Sequence, residues 1–85
     1  VQFYGGVDEP ITDEAVMRER MADQAMLAYE VLAAHCPIHR FSVRYHHRGT
    51  EGKQGGMLWN RITVDLPQGE TMTRDHILTG ELVTT

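Results

Sequence analysis

The sequence predicts an α+β fold: a two-layer sandwich with one long amphipathic helix packed on a mainly antiparallel sheet of three to four strands, in β-α-β-β order. Three observations carry this expectation. Residues 15–34 contain neither Gly nor Pro and are rich in Ala, Met, Leu, Glu and Arg, all good helix formers. Residues 40–47 and 57–66 alternate apolar and polar side chains with the period of two that belongs to half-buried strands. The chain of 85 residues is 41% hydrophobic, which suits a single domain over 1–85 with one helix-on-sheet core.

Val1 to Tyr4 reads as a short strand that Gly5-Gly6 ends, because paired glycines supply turn geometry and nothing to pack. A first residue of Val rather than Met implies that an initiator, a tag or an upstream segment has been removed. Thr12 is placed to cap the long helix, with Asp13 and Glu14 in its first turn, where carboxylates meet the positive end of the helix dipole. A step of about 100° per residue gathers Met17, Met21, Ala25, Ala28 and Leu32 on the buried face, with Tyr29 at its border. Val16, Met26 and Leu27 fall outside that stripe. Pro37 stops the helix, since the residue before a proline avoids the α region.

The next strand places Phe41, Val43, Tyr45 and His47 on one side and Arg40, Ser42, Arg44 and His46 on the other. Residues 48–56 hold four of the eight glycines and read as a loop between strands. In the strand that follows, Leu58, Ile62, Val64 and Leu66 share a face that Asn60 interrupts, while Trp59, Arg61, Thr63 and Asp65 lie opposite. Pro67 ends it. Residues 68–85 read as a weakly structured tail, with a single turn near His76-Ile77-Leu78 and an edge strand at Glu81-Leu82-Val83-Thr84.

The net charge of −4 conceals a division along the chain. Residues 1–34 carry two arginines against seven carboxylates, a net of −5; residues 35–64 carry five cations against one, a net of +4; residues 65–85 carry one against four, a net of −3. Overall acidity argues against non-specific DNA coating, while the basic middle permits one basic face. No stretch reaches the roughly 18–20 apolar residues of a membrane span, so no membrane role is expected. One cysteine, Cys36, excludes an internal disulfide framework and fits a reducing, cytoplasmic setting.

With one helix to cover one sheet face, the other face carries Tyr4, Arg40, Arg44, His46, Trp59 and Arg61. Guanidinium forks bind acidic groups and aromatic rings stack on planar ones, so these residues, with Lys53 in the glycine-rich loop, form the candidate site for a ligand or partner. Met26, Leu27 and Tyr29 form a second candidate contact surface on the helix. The expected function is that of a small non-enzymatic interaction or regulatory module. It binds a partner protein through the basic-aromatic strand pair or the acidic helix, and self-association is a related outcome. The alternative is a nucleic acid or another phosphorylated ligand on the same face.

Catalytic and metal signatures are weak. Gly49 to Gly56 fails the P-loop pattern, because His47 stands where that motif needs Gly and Gln54 where it needs Ser or Thr. The spacing His35-Cys36-x-x-His39 matches no common zinc motif, and no cofactor or metal is expected. A small metal-dependent hydrolase is the third reading, and it needs His46, Glu51, Asp65 and His76 to converge.

Overall fold

The computed structural model describes residues 1–48 and 57–84. β1 (Gln2–Pro10), α1 (Glu14–Ala33), β2 (Arg40–Arg48) and β3 (Met57–Asp65) follow in the anticipated order, and a short α2 (Arg74–Thr79) and β4 (Val83–Thr84) complete the chain. The sheet runs β1-β2-β3-β4. β2 pairs antiparallel with β3 and β3 with β4, whereas β1 pairs parallel with β2, as a strand-helix-strand connection requires. The fold is therefore α+β with a mixed sheet.

β1 does not stop at Gly5-Gly6 but runs on to Pro10. Neighbouring groups fill the space that the glycines leave. The Gln24 amide, reaching down from α1, accepts from Gly6 N–H at 3.1 Å and donates to Gly6 C=O at 3.4 Å. On the opposite face the His46 ring occupies the space that a Gly6 side chain would need. A tertiary contact thus turns a turn signal into strand, and it also satisfies backbone groups on an edge strand.

α1 begins one residue later than expected, with Asp13 rather than Thr12 as N-cap; the Asp13 carboxylate accepts from Ala15 N–H at 2.9 Å. Its buried row is Met17, Met21, Ala25 and Tyr29, with Ala22 beside it, whereas Leu32 is exposed. The cause is Tyr29. Its ring meets Phe41 edge-on at 5.7 Å, and its hydroxyl accepts from Met72 N–H at 3.1 Å, which turns the helix toward the C-terminal segment.

That segment is ordered rather than loose. Gln68 and Gly69 take left-handed backbone conformations just after Pro67, and Met72 and Ile77 enter the core with Phe41, Val43, Tyr45, Ile62 and Leu66. α2 has only six residues, so it depends on caps. Thr73 N–H donates to His76 Nδ1 at 3.0 Å, the imidazole standing where a capping box usually has Glu or Gln. At the other end Arg18 of α1 donates to the carbonyls of Ile77, Leu78 and Gly80 at 3.0, 3.3 and 2.7 Å. A cation at the negative end of a helix is favourable, and this one also fixes the turn into β4. Asn60 holds β4 itself: buried at 2% exposure, it donates to Tyr45 C=O at 3.2 Å and accepts from the Thr84 hydroxyl at 2.9 Å.

Candidate functional site

α1 and α2 leave one face of the sheet open, and the strand register arranges its side chains in rows. Arg40 pairs with Asp65; Gln2, Ser42 and Thr63 follow; then Tyr4, Arg44, Arg61 and Val83; then Gly6, His46 and Trp59; and Arg48 closes the face near Pro10. Alternation along β2 and β3 therefore brings together the residues that the sequence placed there.

The rows differ in how their charge is balanced. At one end Arg40 Nε donates to Asp65 at 2.7 Å, and at the other Arg48 Nε donates to Asp8 at 2.7 Å. The Asp8 hydrogen bond holds the Arg48 guanidinium above its ordinary basicity. Ser42 and Thr63 share a hydrogen bond at 3.3 Å. In the central row Arg44 and Arg61 stand directly opposite each other, and among the described residues neither has an ion-paired carboxylate. Like charges at directly opposed positions destabilise a sheet.

Aromatic rings flank that pair. The Arg44 guanidinium lies 5.8 Å from the centre of the Tyr4 ring, and its Nε is buried with no acceptor among the described residues. Tyr4 and Trp59, two strands apart, meet edge-to-face at 6.2 Å across β2, while His46 packs on Trp59 at 5.2 Å. The Tyr4 hydroxyl donates to Gln2 at 2.6 Å, which holds the ring in place. Tyr4 is 58% and Trp59 39% exposed. Arg44, Trp59, Asn60, Arg61 and Val83 line a small pocket of about 70 Å³.

Several anticipated residues fall elsewhere. Arg40 belongs to the open face, but its charge is spent on Asp65. Lys53 lies outside the described residues. On α1, Tyr29 is buried and Met26 is half-buried against the core, so of the second candidate surface only Leu27 is fully accessible, with Val31 one turn on. Tyr29 is therefore a core residue rather than a contact residue. Two of the four acidic side chains of α1 are also engaged, Glu14 with Arg18 and Asp23 with Arg74, while Arg20 binds Glu9 of β1. His46 stands on the open face, Asp65 is held by Arg40 at its far end, and His76 lies on α2 in the other layer. Among the described residues no three His, Cys, Asp or Glu side chains come together as a metal-binding group, and none of their helices is long and apolar enough to cross a membrane.

Sequence reasoning missed Val83, the apolar wall of the pocket, and Asp8, which neutralises one end of the face. Neither carries a local signal. Comparison with protein-family models, curated proteins and solved structures finds no match to this chain.

Proposed function

We propose that this chain is a non-enzymatic interaction module whose open sheet face binds an acidic segment of a partner protein. One observation carries the reading. The two outer arginines of the face are neutralised by Asp65 and Asp8, whereas the two central ones face each other without a counter-charge among the described residues. Folding does not require that arrangement, and an acidic side chain from a partner relieves it. The exposed rings of Tyr4 and Trp59 add apolar contact area of the kind enriched at protein interfaces. The free, exposed Cys36 suits a reducing compartment, and a cytoplasmic location forms part of the same reading.

The test is a titration of the isotopically labelled chain with a glutamate-rich peptide at low and moderate salt. Shifts confined to Tyr4, Arg44, His46, Trp59 and Arg61, weakened by salt and lost in the Arg44→Gln, Arg61→Gln double variant, are the expected result. Shifts centred on Leu27 and Val31 instead would transfer the interaction to α1 and refute the proposal. A second reading, single-stranded nucleic acid on the same face, is favoured by the exposed aromatic rings beside arginines. It is weakened by the ion pairs at both ends, which leave no basic track along the strands.

A further inference from the structure

We infer that the pocket between Arg44 and Arg61 is a seat for a phosphate monoester, so that the partner segment is recognised in its phosphorylated form. The inference rests on the open face being the docking surface and goes further by naming the group that is read.

Size comes first. The pocket is small, about 70 Å³, and its two cations lie close enough together to meet one compact oxyanion. Charge comes second. Arg44 and Arg61 both line the pocket from directly opposed positions, so two positive charges meet at one point. A phosphate monoester carries about −1.5 to −2 at neutral pH and balances both, while a single carboxylate leaves one of them uncompensated. Donor geometry comes third. Arg44 is held with its guanidinium 5.8 Å from the centre of the Tyr4 ring. A guanidinium pre-placed in this way is suited to the paired hydrogen bonds that arginine makes to phosphate. Of the remaining walls, Asn60 is polar, while Trp59 and Val83 are largely apolar. They limit water around the ion pair and accept the carbon stem beside the ester oxygen.

The same features disfavour a phosphodiester chain. Successive phosphates need cations in succession, but the rows on either side of the central one hold Ser42 with Thr63 and His46 with Trp59, and beyond them Arg40 and Arg48 are bound by Asp65 and Asp8. Asp65 and Glu81 line the groove on the other side of Arg61 without forming an ion pair with it. They repel any extension of negative charge in that direction.

The deciding experiment titrates the full chain with three short alanine-based peptides that differ only in a central phosphoserine, glutamate or serine, and with a short oligothymidylate. Binding is followed by Trp59 fluorescence and by backbone resonances. The phosphoserine peptide is expected to bind about tenfold or more tightly than the glutamate peptide, with the largest shifts at Arg44, Trp59, Arg61 and Val83. Arg44→Gln and Arg61→Gln are each expected to remove that preference, and Glu30→Gln on the far layer to leave it intact. Equal affinity for phosphoserine and glutamate would overturn the phosphate seat while leaving the docking face standing. Tighter, steeply salt-dependent binding of the oligothymidylate would overturn it in favour of nucleic acid. No response at these residues to any of the four probes would overturn both.

Discussion

The two faces of the sheet treat polar groups in opposite ways. On the covered face nearly every polar atom is answered within the protein: Gln24 by the backbone of Gly6, Asn60 by Tyr45 and Thr84, Tyr29 by Met72, and Arg18 by three carbonyls. Among the described residues the exception is the Tyr45 hydroxyl, buried without a hydrogen-bond partner. On the open face the ends are answered and, among the described residues, the centre is not, since Arg44 and Arg61 oppose each other beside exposed rings. Stability accounts for the first pattern, because an unpaired buried polar group costs about 1–3 kcal/mol. It does not account for the second. Uncompensated charge kept on a rigid strand pair is what an external ligand would select.

The largest expected difference between the faces lies in packing. Phe41 is fully buried, stacked on Phe3 at 6.5 Å and edge-on to Tyr29. Phe41→Ala is expected to cost about 3–5 kcal/mol in urea unfolding through lost transfer energy and the cavity left behind. Trp59→Ala, on the half-exposed open face, is expected to cost clearly less while removing ligand binding. Equal losses would mean that Trp59 is part of the core and that the two faces are not functionally distinct.

Next in size is the C-terminal segment. Arg18 keeps only 15% of its side chain exposed while serving three acceptors at the end of α2. Arg18→Ala is expected to cost about 2–3 kcal/mol, in the range for hydrogen bonds to a charged group. The loss should appear first as faster amide exchange in residues 74–84, with protection in β2 retained. Uniform loss of protection would show that α2 and β4 unfold only with the whole sheet.

This segment also marks where the sequence stops being informative. Alternation in β2 and β3 assigned Tyr45 to the core and Arg44, His46, Trp59 and Arg61 to the open face, because strand periodicity is a local property. The order of α2 is hidden in the sequence, since six residues carry little periodic signal and their support comes from Arg18 and Asp23 of α1. The sequence ends β1 at Gly5-Gly6 for the same reason, its continuation depending on Gln24, which lies 18 residues away. Site charge followed this rule too. Alternation places Arg40, Arg44 and Arg61 on the open face, but which of its four arginines are neutralised depends on partners 40 residues away for Arg48 and 25 away for Arg40.

The Tyr45 hydroxyl offers a smaller effect of opposite sign. Tyr45→Phe removes an unanswered buried polar group and is expected to stabilise the chain by about 1 kcal/mol. Burial raises the Tyr45 phenol above its ordinary value of 10.0, with the nearby Arg20 charge pulling the other way. The unfolded chain therefore releases the Tyr45 proton before the folded one does. Ionisation of Tyr45 therefore leaves stability unchanged below about pH 10 and lowers it as pH rises further, because the folded state then binds more protons than the unfolded. Unfolding measured across that interval should show a weaker decline in Tyr45→Phe than in the native chain. An identical decline would mean that the hydroxyl reaches water.

The smallest expected stability change is the most informative about the open face. Arg61→Gln removes one of two directly opposed charges, so the fold should gain stability, by no more than about 0.5 kcal/mol on the scale of cross-strand pairs. Asp65→Asn, which releases Arg40 from an exposed ion pair, should lose a similar amount or less. The same two substitutions should move ligand affinity in the reverse sense: Arg61→Gln weakens it, while Asp65→Asn strengthens it by restoring a cation to the face. A residue whose removal improves the fold and impairs binding is held in place by function rather than by folding. If Arg61→Gln instead destabilises the chain, Arg61 has a structural partner. The contrast between the answered and unanswered rows would then no longer point to a ligand.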